Sequence, residues 1–369
     1  MLSKISAQNY KGFSHSEIPV KPITLLMGQN NSGKTSVIQF LLGLFQSNSE
    51  KNYHATEFIH NGSYVNFGKL ENLWRSKNLE NRLVFDFHFE SRKLQKKLQE
   101  EYFDDVRTDL FSNLADLLAY AEISLESDEF SDERDQIEAA LSYSRSKFVE
   151  QEKNNIDTKI VENIVQPANR LGRLLREHRE SQAKRSTSRA SRSFFKTNSL
   201  LAFSSETSTT ILVEFLRSLK RSKFDQYFKL RYEFARGGKN TVIVREMSIL
   251  RARDNKCVVS LEFDKDPSRT PCKKIVSDFY DGNMGALSAG IRLGPLPRLS
   301  TTSTFQTRWY APLHENATSS FANLIRDVFG LAQETCFGNQ FSTSFSHVPP
   351  LRARPRRYYL PEVLNSTID

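Results

Sequence analysis

With 369 residues, 38% of them hydrophobic and 27 of them Phe, the chain can fill two or three cores, or one domain with a large insertion. Its net charge of +9 admits a nucleic-acid partner without requiring one. No apolar run approaches the ~20 residues that cross a bilayer, no secretory signal opens the chain, and Cys257, Cys272 and Cys336 make neither a disulfide framework nor a zinc pattern, so a cytoplasmic protein with buried thiols and no membrane partner is expected.

Residues Leu2 to Asn9 alternate apolar and polar and read as a first strand. Tyr10-Lys11-Gly12-Phe13 turns the chain, and Ser14 to Val20 reads as a second strand. Pro22-Ile23-Thr24-Leu25-Leu26-Met27 is short, apolar and closed by glycine, the pattern of a buried strand. Gly28-Gln29-Asn30-Asn31-Ser32-Gly33-Lys34-Thr35-Ser36 follows and fits G-x-x-x-x-G-K-[S/T], the phosphate-binding P-loop. Val37 to Phe45 is apolar nearly all round and reads as a buried helix.

The chemistry of such a loop is specific. Gly28 and Gly33 allow backbone conformations closed to residues with a Cβ. Backbone N–H groups then point into one concavity, and the helix starting near Gly33 adds the positive end of its dipole. Lys34 can reach the β- and γ-phosphates, and the Thr35 hydroxyl can ligate Mg²⁺. ATP and Mg²⁺ are therefore the expected cofactors.

Asn9-Tyr10-Lys11-Gly12-Phe13, together with Pro22 to Ser36, resembles the N-terminal lobe of the RecF/SMC/OLD-like group of ABC-type ATPases. Tyr64-Val65-Asn66-Phe67-Gly68-Lys69-Leu70-Glu71-Asn72-Leu73 and the strand Leu83 to Phe89 resemble that group's prokaryotic AAA-labelled branch, found in anti-phage defence systems. So does Pro349-Pro350-Leu351-Arg352-Ala353-Arg354-Pro355-Arg356-Arg357-Tyr358-Tyr359, with Pro349 standing where Gly is usual. The resemblance implies an α/β P-loop fold of the ABC/SMC-head type, with a long helical insertion and an additional β-rich part. It implies that Gly28, Asn30, Asn31, Ser32, Gly33 and Lys34 cradle phosphates, that Thr35 holds Mg²⁺, and that Ser36 touches the α-phosphate. Lys11 is expected to approach the nucleotide. It further implies a homodimer through ATPase heads, a partner nuclease, and a role in DNA repair or anti-phage defence.

From Glu90 to Ser205 Pro is nearly absent and charge is dense. Lys93 to Glu101 and Asp116 to Phe148 have helical spacing. An acidic run (Glu122 to Asp135) precedes a basic one (Arg170 to Lys196), and Gln182 to Ser193 has the composition of a disordered stretch. The basic run reads either as a nucleic-acid phosphate contact or as a solvated face balanced by the acidic run. Further on, Thr210 to Phe224 suggests a helix. Phe228 to Phe234, Asn240 to Leu250 and Cys257 to Phe263 suggest an antiparallel meander with turns at Gly237-Gly238 and Arg253-Asp254-Asn255. Thr318 to Leu331 suggests another helix. The expected organisation is an N-terminal ATPase lobe (1–90), a charged helical insertion (91–205) and an α+β continuation (206–369).

An ATPase of this kind also needs an apolar strand ending in Asp-Glu. Leu83-Val84-Phe85-Asp86 ends in Asp, but Phe87 follows, and the segment reads as an ordinary strand with an exposed Asp. Leu287-Ser288-Ala289-Gly290-Ile291 looks only superficially like a signature loop and reads as a loop. His314-Glu315 lacks a second His at zinc spacing. No catalytic residue is identified. In the family the missing elements follow the Pro-Leu-Arg segment, so the chain is expected to be the N-terminal portion of a longer ATPase. Two readings stay open: an ATPase, and a non-hydrolysing module that binds nucleotide or a partner.

Overall fold

The computed structural model describes residues 1–29, 32–49, 58–62, 64–101, 206–238, 241–264, 272–288 and 319–338, with short pieces between 115 and 177. Its centre is a seven-stranded sheet of order β2-β1-β3-β4-β5-β6-β7. The strands are β1 (Leu2–Tyr10), β2 (Phe13–Pro19), β3 (Leu83–Glu90), β4 (Tyr227–Arg236), β5 (Val242–Arg251), β6 (Cys257–Glu262) and β7 (Lys274–Val276). Among the described residues every strand pairing is antiparallel. The alternating patterns thus form the expected first hairpin and the expected meander, and β7 extends the meander by one short strand. Strands from before residue 91 and after residue 226 lie side by side, since β3 pairs with β4 from Leu83↔Phe234 to Glu90↔Tyr227.

One sheet face is apolar. Phe85, Phe87, Phe89, Phe228, Leu230, Tyr232, Phe234, Met247 and Ile249 are all fully or nearly fully buried. Helices α1 (Lys34–Ser49), α3 (Glu206–Arg221) and α4 (Ser319–Gln333) contribute Phe40, Phe215 and Phe329 to the same core, as the helical spacing of their sequences predicts. The short α2 (Arg92–Lys96) is capped by Ser91, whose hydroxyl accepts from the Leu94 N–H at 3.1 Å, and runs into a π-turn at Lys97–Glu101. Phe40 of α1 stacks on Phe85 with ring centroids 3.4 Å apart, and Phe337, just past α4, meets Phe87 edge-on at 4.8 Å.

α1 lies close to this aromatic layer because it carries Gly43. A Cβ there would sit 3.1 Å from Phe58 Cε2 and 3.2 Å from Phe67 Cε2, and closer still to Phe58 Cζ. Gly43→Ala should therefore lower stability by about 1 kcal/mol in a urea titration, because overpacking outweighs the gain in helix propensity.

The other sheet face is polar. Its cross-strand rows read Lys4↔His88↔Lys229, Ser6↔Asp86↔Arg231↔Ser248↔Ser260 and Gln8↔Val84↔Glu233↔Glu246↔Glu262. Asp86, expected to be exposed, is 4% exposed and paired to Arg231 through Nε–Oδ1 (2.7 Å) and Nη2–Oδ2 (2.9 Å). Arg82 reaches Glu233 at 2.8 Å and Glu246 at 3.3 Å. Long side chains on neighbouring strands thus cover the shorter ones, and β3 is buried on both faces.

His88 sits in that cover with its Nε2 buried and unpartnered. Burial first, then the ammonium groups of Lys4 and Lys229, push its pKa down from 6.5 to about 4, against the opposing pull of Asp86 and Glu17. The folded protein therefore holds His88 neutral while the unfolded chain protonates it below 6.5. The stability it leaves intact at pH 7 is lost as pH falls from 6.5 towards 4, about 2 kcal/mol by pH 5. Urea titrations at pH 7 and pH 5 should show this slope in the wild type and lose most of it in His88→Gln.

In the charged region after β3, helix is present at 118–119, 121–123, 131–139 and 173–175. Phe130, Ile137, Leu171 and Leu175 are buried. Glu133 lies 4.0 Å from Arg170, and Arg134 pairs with Glu138 and Glu122, so part of the acidic run faces basic groups within the chain. Most of the basic run, and the stretch Gln182 to Ser193, lie outside the described residues. All three cysteines are free thiols; Cys272 and Cys336 are buried as expected, and Cys257 is only half-buried. Leu287 and Ser288, expected in a loop, belong to a one-turn helix (Gly285–Ser288), because Leu287 enters the core at 1% exposure.

Candidate nucleotide site

The site is built at the point where α1 begins. The helix starts at Lys34, and the Gly33 carbonyl accepts from the Ser36 N–H at 2.9 Å and the Val37 N–H at 3.3 Å. Before it, the Ser32 N–H donates to the Gln29 carbonyl at 3.3 Å, which curls the loop. The first N–H groups of a helix have no acceptor inside it. Those of Lys34 and Thr35 therefore have no acceptor within α1 and lie at the positive end of its dipole.

The Lys34 ammonium is turned into its own loop. It donates to the Gly28 carbonyl (2.7 Å), the Gln29 carbonyl (2.6 Å) and the Ser32 hydroxyl (3.3 Å). The cation is thus held by the loop's own acceptors, which phosphate oxygens would have to replace. Thr35 is exposed and Ser36 half-buried. The structure brings Gly28, Ser32, Gly33, Lys34, Thr35 and Ser36 together; Asn30 and Asn31 lie outside the described residues.

Pro22 to Met27 departs from expectation. It forms no strand, and Ile23, Leu25 and Met27 are 86%, 78% and 84% exposed. A strand exists only where a neighbour takes its N–H and C=O groups, and no described strand pairs with this segment. Among the described residues its local ties run through the Thr24 hydroxyl, which accepts from the Lys21 N–H at 3.0 Å and donates to the Lys21 carbonyl at 3.2 Å. α1 is likewise less enclosed than its composition suggests: Phe40, Leu42 and Leu44 are buried, but Ile38 is 44% exposed.

Lys11, expected to approach the nucleotide, is held one turn further along the helix. Its ammonium donates to Gln39 Oε1 and lies 4.8 Å from the centre of the Phe67 ring, and burial lowers its pKa. Gln46, deep in α1, ties the helix to the Tyr64 to Leu73 segment. Its Nε2 donates to the Ile59 carbonyl at 2.6 Å, and its Oε1 accepts from Val65 N at 2.9 Å. Sequence reasoning passed over Gln46; an amide directly after the apolar run Leu41 to Phe45 was the available signal.

Among the described residues no group of three His, Cys, Asp or Glu could hold a metal ion. A lone Thr35 hydroxyl does not retain a free divalent ion, but it suits an Mg²⁺ that arrives on a polyphosphate, since Mg²⁺ keeps most of its ligands from phosphate and water. The donor set (ammonium, helix N-terminus, hydroxyl) therefore fits a nucleotide's phosphates.

The loop at the head of a sheet-packed helix defines a P-loop ATPase domain. A family model for the AAA ATPase domain matches residues 1–228, and the chain belongs to that family. No curated protein and no solved structure matches the chain. The matched stretch runs from the first residue into β4. Among the described residues no helix is long and apolar enough to cross a membrane.

Proposed function

We propose that this chain binds ATP with Mg²⁺ at Gly28 to Ser36, as the nucleotide-binding part of an ATPase. The observation that carries this reading is the placement of Lys34 and Thr35 at the N-terminus of α1 with the Lys34 ammonium inside the loop. Backbone N–H groups of the loop and the first turn hold the phosphates. Lys34 neutralises the β- and γ-phosphates, and the Thr35 hydroxyl holds the Mg²⁺, which would offset charge on the same oxygens. Asn30, Asn31 and Ser36 complete the cradle.

Hydrolysis needs a group that orients water, and phosphoryl transfer depends on positioning and electrostatics. Asp86 does not serve, because both its oxygens are committed to Arg231 on the polar sheet face. Turnover by this chain alone is therefore expected to be slow or absent, which keeps the non-hydrolysing module as the second reading. The finer picture rests on the sequence resemblance: an ABC/SMC/OLD-like head with a helical insertion, cytoplasmic, pairing with a second copy and with a nuclease, and acting in DNA repair or anti-phage defence. The three-part division of the chain at about 90 and 205 belongs to the same proposal. So does contact of the basic run with nucleic acid, which a salt titration of DNA binding to the full chain would test.

The deciding experiment is calorimetric titration of the full chain with ATP and Mg²⁺. Weak saturable binding, lost when Mg²⁺ and the triphosphate are replaced by adenosine, is the expected result. No heat of binding up to millimolar ATP would overturn the reading.

A further inference from the structure

Where β1 ends and the chain turns into β2, two residues that are not glycine lie in the left-handed region: Asn9, next to last in β1 (φ 58°), and Lys11, in the turn itself (φ 49°). A side chain with a Cβ rarely adopts such a conformation, least rarely Asn, and it persists where the surroundings over-determine it. On one side the turn is fastened to the body of the fold. The Lys11 N–H donates to the Leu73 carbonyl at 2.8 Å, and the Tyr10 ring meets Phe85 edge-on at 5.3 Å. On the other side it grips the start of α1. The Tyr10 hydroxyl donates to the Ser36 carbonyl at 3.0 Å, and Lys11 donates to Gln39.

The third grip is Phe13 on Gly33. A Cβ on Gly33 would lie 2.9 Å from Phe13 Cε1 and nearer still to Cζ, so the ring rests on the glycine itself. Gly33 has φ 93°, and a glycine in that region has wide backbone freedom unless something confines it. The gripped positions 33, 36 and 39 are three apart, which puts them along one side of the helix's first turns.

We propose that Phe13 is a positioning residue for the phosphate loop. Its ring pins the Gly33 peptide, and so fixes where the N–H groups of Lys34 and Thr35 point, while Tyr10 fixes the next turn. The value of this for phosphate binding rests on the ATP reading above; the pinning itself does not. Donors set in place before the ligand arrives need not be ordered on binding. The ring's edge also sets a geometric demand. Cζ is the ring atom nearest to where a Gly33 Cβ would lie, so a hydroxyl on it would crowd the loop, and Phe13→Tyr should harm the loop more than Phe13→Leu.

The test uses the full chain and two readouts. The first is hydrogen exchange without nucleotide. In Phe13→Ala the amides of 32–37 should exchange about tenfold faster, with those of β3 and β4 unchanged. The second is calorimetric affinity for ATP with Mg²⁺, expected to fall about tenfold in Phe13→Ala and Phe13→Tyr and less than threefold in Phe13→Leu. Unchanged exchange at 32–37 in both Phe13→Ala and Phe13→Tyr overturns the proposal, whatever the affinities. If β3 and β4 also lose protection in Phe13→Ala, the comparison of Phe13→Leu with Phe13→Tyr decides: equal loop exchange in the two overturns it. Faster loop exchange in a chain whose wild type takes no ATP leaves the pinning standing and removes only the nucleotide reading.

Discussion

Lys34→Ala is expected to abolish binding of ATP and Mg²⁺, with affinity falling at least about 100-fold, or roughly 2.7 kcal/mol. The side chain is the only cation inside the loop among the described residues, and its three hydrogen bonds show that it reaches the concavity. Removing it takes away a charge-assisted contact that the helix N-terminus alone does not replace. The same change should hardly alter stability, because these hydrogen bonds are solvent-exposed and water can satisfy the Gly28 and Gln29 carbonyls. Calorimetry beside a urea titration separates the two effects. Equal ATP affinities for wild type and variant would remove the nucleotide assignment.

Arg231→Met should produce the largest loss of stability of any single change considered, about 3–5 kcal/mol. Asp86 is 4% exposed, and both its oxygens depend on the Arg231 guanidinium. Without that partner a carboxylate remains buried on a central strand. The pair itself need not stabilise the fold, since desolvation offsets much of the attraction. Asp86→Leu combined with Arg231→Met should therefore recover most of the loss. A double variant no more stable than Arg231→Met would contradict this account. Urea midpoints at pH 7 provide the measurement.

Much of this fold could be read from period and turn chemistry. β1 and β3 follow apolar–polar alternation, and the β4 to β6 meander follows runs of β-branched and aromatic residues between Gly and Asn turns; those signals are local. The loop was legible because its motif fixes residue types at set spacings. Pro22 to Met27 misled because a short apolar run closed by glycine reports an affinity for a sheet, not the presence of a neighbouring strand. Asp86 misled for a related reason. Alternation places it on the polar face, but whether that face is wet depends on Arg231, 145 positions away. The grips of Tyr10 and Phe13 on α1 have no sequence period at all; they come from a left-handed turn that brings separate segments together.

That same separation sets the order of assembly. The β1–β2 hairpin is local, but the β3–β4 seam must close across the whole intervening stretch before the sheet is continuous. Bringing such distant segments together costs loop entropy before any contact compensates for it, so this seam is expected to limit the folding rate. During synthesis, β3 emerges long before β4 and presents a bare strand edge next to Phe85, Phe87 and Phe89. In that interval the nascent chain is a natural client for chaperones and a hazard for aggregation.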